Sequence, residues 1–117
     1  MTTQQVANRL VELCRKGQIP QAMEELYAED ITSVEPPHAP TKTAHGKKAV
    51  LEKGALFASM IQERHGGSFS DPLVCGRYFS AGMTLDATFK GQGRMQFEEI
   101  CVYEVKEGKI VSEQFFF

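Results

Sequence analysis

The sequence predicts an α+β domain in which three helices pack against one face of a long, mainly antiparallel sheet. Two observations support this prediction: apolar residues follow helical spacing in the first half and alternate with a period of two in the second. Helices followed by a run of antiparallel strands are typical of the α+β class. A chain of 117 residues builds one core, so we expect a single domain over residues 1–117.

The first half contains three predicted helices and one short strand. The first helix ends at Gly17, because glycine suits a helix C-terminus, and Pro20 starts a short second helix over Gln21–Tyr27. The strand Asp30–Glu35 stops at a double proline, and a third helix runs from Lys47 to about Gln62. The residues expected on the buried stripe of this helix are Val50, Gly54, Phe57 and Ile61.

The second half is expected to form four strands. Gly66 and Gly67 end the third helix, and the strand Ser68–Cys75 follows. Three longer strands come next, and they turn at Lys90–Gly93 and at Glu107-Gly108. A sheet of this length that curves around the helices leaves a cone with a cavity inside it.

Two glutamates interrupt the apolar alternation of the last two strands. In the strand that precedes them, the odd positions from Phe79 to Phe89 are all apolar. The next strands keep this alternation but carry Glu99 and Glu113 at odd positions. Because a carboxylate on a buried sheet face is costly unless it has a partner or lines a polar cavity, these residues predict a pocket.

Composition excludes several kinds of partner. A net charge of −2 and a pI near 5.9 argue against nucleic acid and anionic membranes. The first residues lack the pattern of a signal peptide, and no apolar run approaches the roughly 20 residues that span a bilayer. Three cysteines without metal-binding spacing indicate reduced thiols, so we expect a cytoplasmic protein with no metal site and no organic cofactor.

Three segments resemble the nuclear transport factor 2-like superfamily: Leu26–Asp30 (LYAED), Ala44–Val50 (AHGKKAV) and Val102–Glu113 (VYEVKEGKIVSE). Together with the order of elements, they are most similar to the SnoaL-like branch, which includes polyketide cyclases. The resemblance covers essentially the whole chain and implies a cystatin-like cone that encloses a pocket. Because the superfamily contains enzymes, transport factors and binding modules, the resemblance leaves the function open.

The chain is also distantly similar to ketosteroid isomerase. The similarity places Glu35 on the catalytic aspartate of that enzyme, because both acids follow the same tyrosine, here Tyr27, by 8 residues and precede a proline. It therefore implies that Glu35 is a general base at the mouth of the cone. The groups that stabilise the oxyanion in that enzyme fall on Leu10 and near Cys101, so steroid isomerisation is not expected.

The two inward glutamates each have a structural alternative. Glu99 is also explained by a cross-strand ion pair with Arg77 or Arg94, which requires no ligand. A β-bulge in the last strand would turn Glu113 to the opposite face and bring Gln114 inward.

The histidines are weaker candidates for catalysis. His38 lies in the proline-rich loop over the expected cavity mouth, where it is either a proton shuttle or a solvated side chain. His45, which immediately precedes the third helix, is either a proton shuttle or a residue that only contributes to the start of that helix. His65 is expected to be a favourable cation at the C-terminus of that helix.

Apolar side chains are expected to complete the pocket. In a small domain most of them are simply core residues, but apolar walls with a few polar groups are typical of a small-molecule site. The sequence therefore predicts a small apolar ligand. The residues expected to contact it are Phe57, Ile61, Met83, Phe97, Cys101, Tyr103 and Phe115.

Two classes of function are consistent with these residues. In the first, the protein is a cofactor-independent enzyme that cyclises, isomerises or hydrates a small hydrophobic carbonyl compound by general acid–base chemistry. Its candidate catalytic residues are Glu35, Glu99, Glu113 and His38. In the second, the protein is a non-catalytic module that binds a small molecule or another subunit.

The outer sheet face predicts self-association. On the first long strand, the residues expected on this face are small or hydroxylated. On the later strands they are apolar, and these residues are Ile100, Val102, Ile110 and Phe116. Asp86 is expected on this face as a surface or interface residue. Because two-fold dimers are the commonest closed oligomer, we expect a homodimer through this face.

Overall fold

The computed structural model describes residues 1–117 and contains three helices and seven strands. The helices are α1 (Thr3–Arg15), α2 (Ile19–Leu26) and α3 (Lys47–Ser59). The strands are β1 (Tyr27–Val34), β2 (Ala44–His45), β3 (Ile61–Phe69), β4 (Leu73–Cys75), β5 (Tyr78–Phe89), β6 (Gly93–Lys106) and β7 (Lys109–Phe116). The helices pack on a mixed, mostly antiparallel open sheet, so the predicted α+β class is confirmed.

The strands form one sheet in the order β2-β1-β7-β6-β5-β3, and β4 pairs with β5 beyond the end of β3. The β1–β7 pair is parallel and all other pairs are antiparallel. We call the sheet face that packs on the helices the inner face; on β5 and β6 it carries the odd-numbered residues, such as Phe79 and Tyr103. The opposite face is the outer face. No helix combines the length and hydropathy that crossing a bilayer requires.

The core lies between α1 and the inner face. A capping box starts α1: the Thr2 hydroxyl accepts from the Gln5 amide, and the Gln5 side chain accepts from the Thr2 amide. The aromatic rings of Phe79 and Tyr103 stack with centroids 4.6 Å apart. Burial of this helix and these rings fixes which sheet face points inward.

The region after α3 differs from the prediction. The helix ends at Ser59 instead of about Gln62, and residues 61–69, including Gly66 and Gly67, form β3. The two glycines do not break a helix; a Cβ atom at Gly67 would lie only 2.8 Å from the Thr84 carbonyl oxygen. His65 is therefore not a helix-terminal cation, and its ring bonds to the Thr88 hydroxyl at 2.7 Å. This strand is difficult to recognise from the sequence, because glycine has no side chain and therefore interrupts the apolar alternation that indicates a strand.

The other boundaries shift less. The second helix ends at Leu26, so Tyr27 belongs to β1 and not to the helix. The predicted strand Ser68–Cys75 covers the end of β3 and the whole of the three-residue strand β4, with a break at residues 70–72, and the two-residue strand β2 was not predicted. Strands this short carry too little alternation to be recognised.

A β-bulge in β7 settles the orientation of its residues. Glu104 pairs with Ser112, whereas Val105 pairs with Ile110, so Val111 is the extra residue. Ile110 is consequently fully buried, and its expected place on the outer face is wrong. Glu113 points inward as the alternation predicted, because the bulge precedes it.

Candidate functional site

The buried carboxyl group of Glu113 lies on the inner face of β7, where the residue is 2% exposed. It accepts hydrogen bonds from the Tyr27 hydroxyl and from the Ser33 hydroxyl, the latter at 2.6 Å. Burial raises the pKa of Glu113 above its ordinary value, while the hydrogen bonds from Ser33 and Tyr27 and the charge of Lys53 oppose this rise. Glu113 thus has the partners that a buried carboxyl group requires.

Lys53 extends this arrangement towards the end of β1. Its Nζ donates to the Ser33 hydroxyl at 2.5 Å and to Glu35 Oε1 at 3.1 Å. The side chains of Lys53 and Glu35 are only 11% and 10% exposed. We call the residues Tyr27, Ser33, Glu35, Lys53 and Glu113 the Glu113 network. They form a continuous chain of polar contacts from the end of β1 to the interior.

Local sequence explains how these side chains meet. Ser33 and Glu35 are two residues apart, so both point to the inner side of β1 and of its extension. On α3, Lys53 lies between Val50 and Phe57 at helical spacing, on the side that faces the sheet. Gly54 permits α3 to approach α2, because a Cβ there would lie 3.2 Å from the Met23 Cε.

Glu99 is the third inward carboxyl group and lies on β6. It is half-buried opposite Met83 of β5, and its Oε1 accepts a weak hydrogen bond from the Cys101 thiol at 3.7 Å. Burial raises the pKa of Glu99 to about 7, and the negative charges of Glu35 and Glu113 contribute to the rise. A carboxyl group with this pKa exchanges protons readily near neutral pH.

Neither arginine neutralises Glu99, so the ion pair weighed from the sequence is wrong. Arg77 pairs with Glu104 at 2.8 Å, and Arg94 pairs with Asp86 at 2.8 Å. Residues 94 and 99 have opposite parity on one strand, so their side chains lie on opposite faces. Asp86 is a surface residue of the outer face, as predicted.

The histidines stay apart from the carboxyl groups. The ring of His38 contacts the ring of Phe117 edge-on, with centroids 5.2 Å apart, and forms no hydrogen bond with Glu35. His45 lies in β2, where its Nδ1 bonds to the Thr32 hydroxyl at 2.9 Å. The structure therefore brings Glu35 and Glu113 into one network through Lys53 and places His38 over the C-terminus.

The predicted apolar lining divides into two groups. Cys101 and Tyr103 are buried core residues. The others are partly exposed, and the residues in this second group are Phe57, Ile61, Met83, Phe97 and Phe115. The Phe57 and Phe97 rings meet edge-on at 6.4 Å, and the Phe115 ring centroid lies 5.4 Å from Lys53 Nζ. Apolar surface therefore adjoins both Glu99 and Lys53.

A groove of about 490 Å³ lies elsewhere, across β3, β5 and β6. Its lining comes mostly from the outer face, including Thr84, Glu98, Ile100 and Phe116, although Met83 and Glu99 also border it. No residue of the Glu113 network lines this groove. It is therefore a different feature from the interior pocket that the sequence predicts.

Sequence reasoning missed three residues of the network. Lys53, Ser33 and Tyr27 were not selected as site residues, although each contacts a selected glutamate directly or through one hydroxyl. The spacing of Lys53 from Val50 and Phe57 could have revealed it, because all three share one helix face.

Comparisons with known proteins agree on the fold. The family model of the SnoaL-like domain matches residues 1–117. A crystal structure from Mesorhizobium loti, described as a candidate SnoaL-like polyketide cyclase and also as a carbohydrate phosphatase, is 36% identical. It has a TM-score of 0.93, and the match covers 100% of both chains. No curated protein matches the chain.

More distant structures show the fold alone. A protein from Catenulispora acidiphila with a ketosteroid isomerase-like fold, in complex with trimethylamine, is 19% identical with a TM-score of 0.75. The match covers 96% of this chain and 84% of that one. A protein of unknown function with a cystatin-like fold, from Xanthomonas campestris, is 17% identical with a TM-score of 0.71 and coverages of 99% and 90%.

Proposed function

Because the chain belongs to the SnoaL-like family, as its sequence resemblance indicated, we propose that it is a cofactor-independent enzyme acting on a small, mostly apolar carbonyl compound. Proteins of this fold family commonly have a ligand pocket and include cyclases and isomerases, so membership alone leaves the reaction open. One observation carries the proposal: Glu99 is a half-buried inner-face carboxyl group with no cationic partner and a pKa of about 7.

In the proposed reaction Glu99 is the general base. The bond between hydrogen and the carbon next to the carbonyl breaks, the proton moves to a Glu99 oxygen, and the electron pair forms an enolate. Isomerisation is completed when Glu99 returns the proton to another carbon. Cyclisation is completed when the enolate carbon attacks a second carbonyl group, the π electrons of that group move to its oxygen, and the resulting alkoxide takes up the proton from Glu99. Glu35, the base suggested by the similarity, accepts a hydrogen bond from Lys53 Nζ at 3.1 Å, so its Oε1 is already occupied by a protein donor. We therefore assign Glu35 to holding Lys53 and Glu99 to moving the proton.

Hydrogen–deuterium exchange tests this proposal without knowledge of the product. A panel of small ketones, enones and β-keto esters is incubated with the protein in D₂O, and NMR follows loss of the proton next to the carbonyl. Glu99→Gln should lower the exchange rate at least about 100-fold, since general base catalysis contributes that much. Glu98→Gln is the matched control, because Glu98 is the neighbouring, exposed residue. Equal exchange in wild type and Glu99→Gln would refute the assignment.

The second candidate function is a non-catalytic binding module. The Glu113 network favours it, because each of its side chains already has a protein hydrogen-bond partner and none requires a ligand for that purpose. Saturation-transfer NMR on the same panel separates the two functions. Compounds that bind to the wild type but never exchange a proton would support the module.

We also propose a cytoplasmic homodimer that forms through the outer face. Its support is the exposed apolar surface there, where Ile100 is 55% exposed and Phe116 is 49% exposed. Sedimentation of the wild type should give twice the monomer mass of 13.0 kDa, and Ile100→Glu should return the monomer. A single 13.0 kDa species at micromolar concentration would exclude the dimer.

A further inference from the structure

We infer that Lys53 is a catalytic residue that donates a hydrogen bond to the oxygen of the ligand, where negative charge develops when the carbonyl compound loses its proton. This inference rests on the proposed function, since it names the group that would stabilise the enolate. It also narrows the ligand class to compounds with an enolisable carbonyl or an acidic phenol-like oxygen on an apolar body.

Lys53 is a largely buried lysine whose ammonium group contacts residues of the protein interior. Only two lysines have strongly buried side chains, Lys47 at 13% exposure and Lys53 at 11%. Lys47 donates to the Glu24 carbonyl oxygen at 2.7 Å and faces exposed carboxylates at the surface. Lys53 alone joins the inward-facing groups Ser33 and Glu35.

One N–H group of the Lys53 ammonium has no hydrogen-bond acceptor within the protein. An ammonium has three N–H groups, and protein acceptors take two of them, Ser33 Oγ and Glu35 Oε1. The Phe115 ring, 5.4 Å away, adds a cation–π contact and an apolar wall without acting as a conventional acceptor. One N–H therefore remains for a ligand oxygen beside an aromatic surface.

The Glu113 network also holds the ammonium group in place. Ser33 is fully buried, and its hydroxyl donates to Glu113 while it accepts from Lys53. Donors that are fixed before the reaction stabilise a developing oxyanion most effectively, because they need not reorganise. The similarity to ketosteroid isomerase implies such donors at Leu10 and near Cys101, and both of these residues are buried and provide no strong donor. Lys53 supplies the missing charge from a different element, α3.

Binding of p-nitrophenol tests Lys53 without any enzymatic turnover. The phenolate is coloured, resembles an enolate in charge, and has an apolar ring, so its absorbance reports the ionised fraction of the bound compound. At about pH 6, the wild type should raise the phenolate fraction and bind the phenolate at least about tenfold more tightly than Lys53→Met, because a hydrogen bond from an ammonium group favours the ionised form of the phenol. Lys48→Met is the control, because Lys48 is an exposed residue of the same helix.

The outcomes separate this inference from the proposed function. A Lys53-dependent phenolate shift without proton exchange on any carbonyl compound would support the Lys53 site and reject the enzyme. Equal phenolate binding by wild type and Lys53→Met, or binding of neutral phenol only, would overturn the inference. Circular dichroism checks folding, and Lys53→Arg, which keeps the charge, should retain part of the shift if Lys53→Met unfolds.

Discussion

The charge of Glu99 should make the folded protein less stable as the pH rises. The pKa of Glu99 is 4.5 when the side chain is unperturbed and about 7 in the folded protein. The folded state therefore holds this proton more tightly, and between these two values the unfolded chain releases it first. The stability that the proton provides is complete below pH 4.5 and is lost as the pH rises through about 7.

The size of the effect follows from the same two values. Each pKa unit corresponds to about 1.4 kcal/mol, so the difference sets an upper limit of about 3 kcal/mol. Glu99 is only half-buried, and water near the carboxyl group reduces this cost. We therefore expect Glu99→Gln to stabilise the fold by about 1–2 kcal/mol at about pH 8 and to change little below about pH 4.5.

Urea unfolding at several pH values measures this difference. The midpoints should separate as the pH rises, with Glu99→Gln above the wild type and with equal m-values. Glu98→Gln serves as the control, because this exposed residue has no burial cost to lose. If the two variants had the same pH profile, Glu99 would not be desolvated, and the basis for its role as a base would fail.

Two further predictions concern the hydrogen bond between Tyr27 and Glu113 and the buried residue Ile110 of β7. Tyr27→Phe should destabilise the fold by about 1–3 kcal/mol, because it removes a donor to buried Glu113; Tyr78→Phe, at an exposed position, should change stability by less than about 0.5 kcal/mol. Equal losses in thermal unfolding would contradict the network. Ile110→Ala should cost about 2–5 kcal/mol because Ile110 is fully buried, and Val111→Ala should cost far less because Val111 is half-buried. If urea unfolding showed a larger loss of stability for Val111→Ala than for Ile110→Ala, Val111 would not be the extra residue of the β7 bulge.

Much of the sheet could be predicted because alternation reports directly which face is buried. The inner-face placement of the odd positions of β5 and β6, including Glu99, follows from this pattern, whereas the direction of Glu113 depended on where the β7 bulge lies. The β3 strand was missed because its glycines carry no side chain to alternate. Ile110 was misplaced because a bulge changes parity for residues on one side only, and that change depends on pairing with β6.

The interior network was harder to predict because its contacts join distant segments. The similarity to ketosteroid isomerase selected Glu35, and alternation selected Glu113, but the sequence shows no link between them. Lys53 makes that link, and a lysine on a helix is ordinarily interpreted as solvated. Only the packing of α3 against β1 turns its ammonium group inward.

The parallel pairing of β1 with β7 also has a consequence for synthesis on the ribosome. Tyr27 and Ser33 precede Glu113 by 86 and 80 residues. Their hydrogen bonds to Glu113 can therefore form only after β7 has emerged from the exit tunnel. Before then the nascent β1 has only the two-residue strand β2 beside it. A ribosome stalled before β7 would therefore hold a chain that contains Glu35, Lys53 and Glu99 but lacks the buried acceptor of Tyr27 and Ser33.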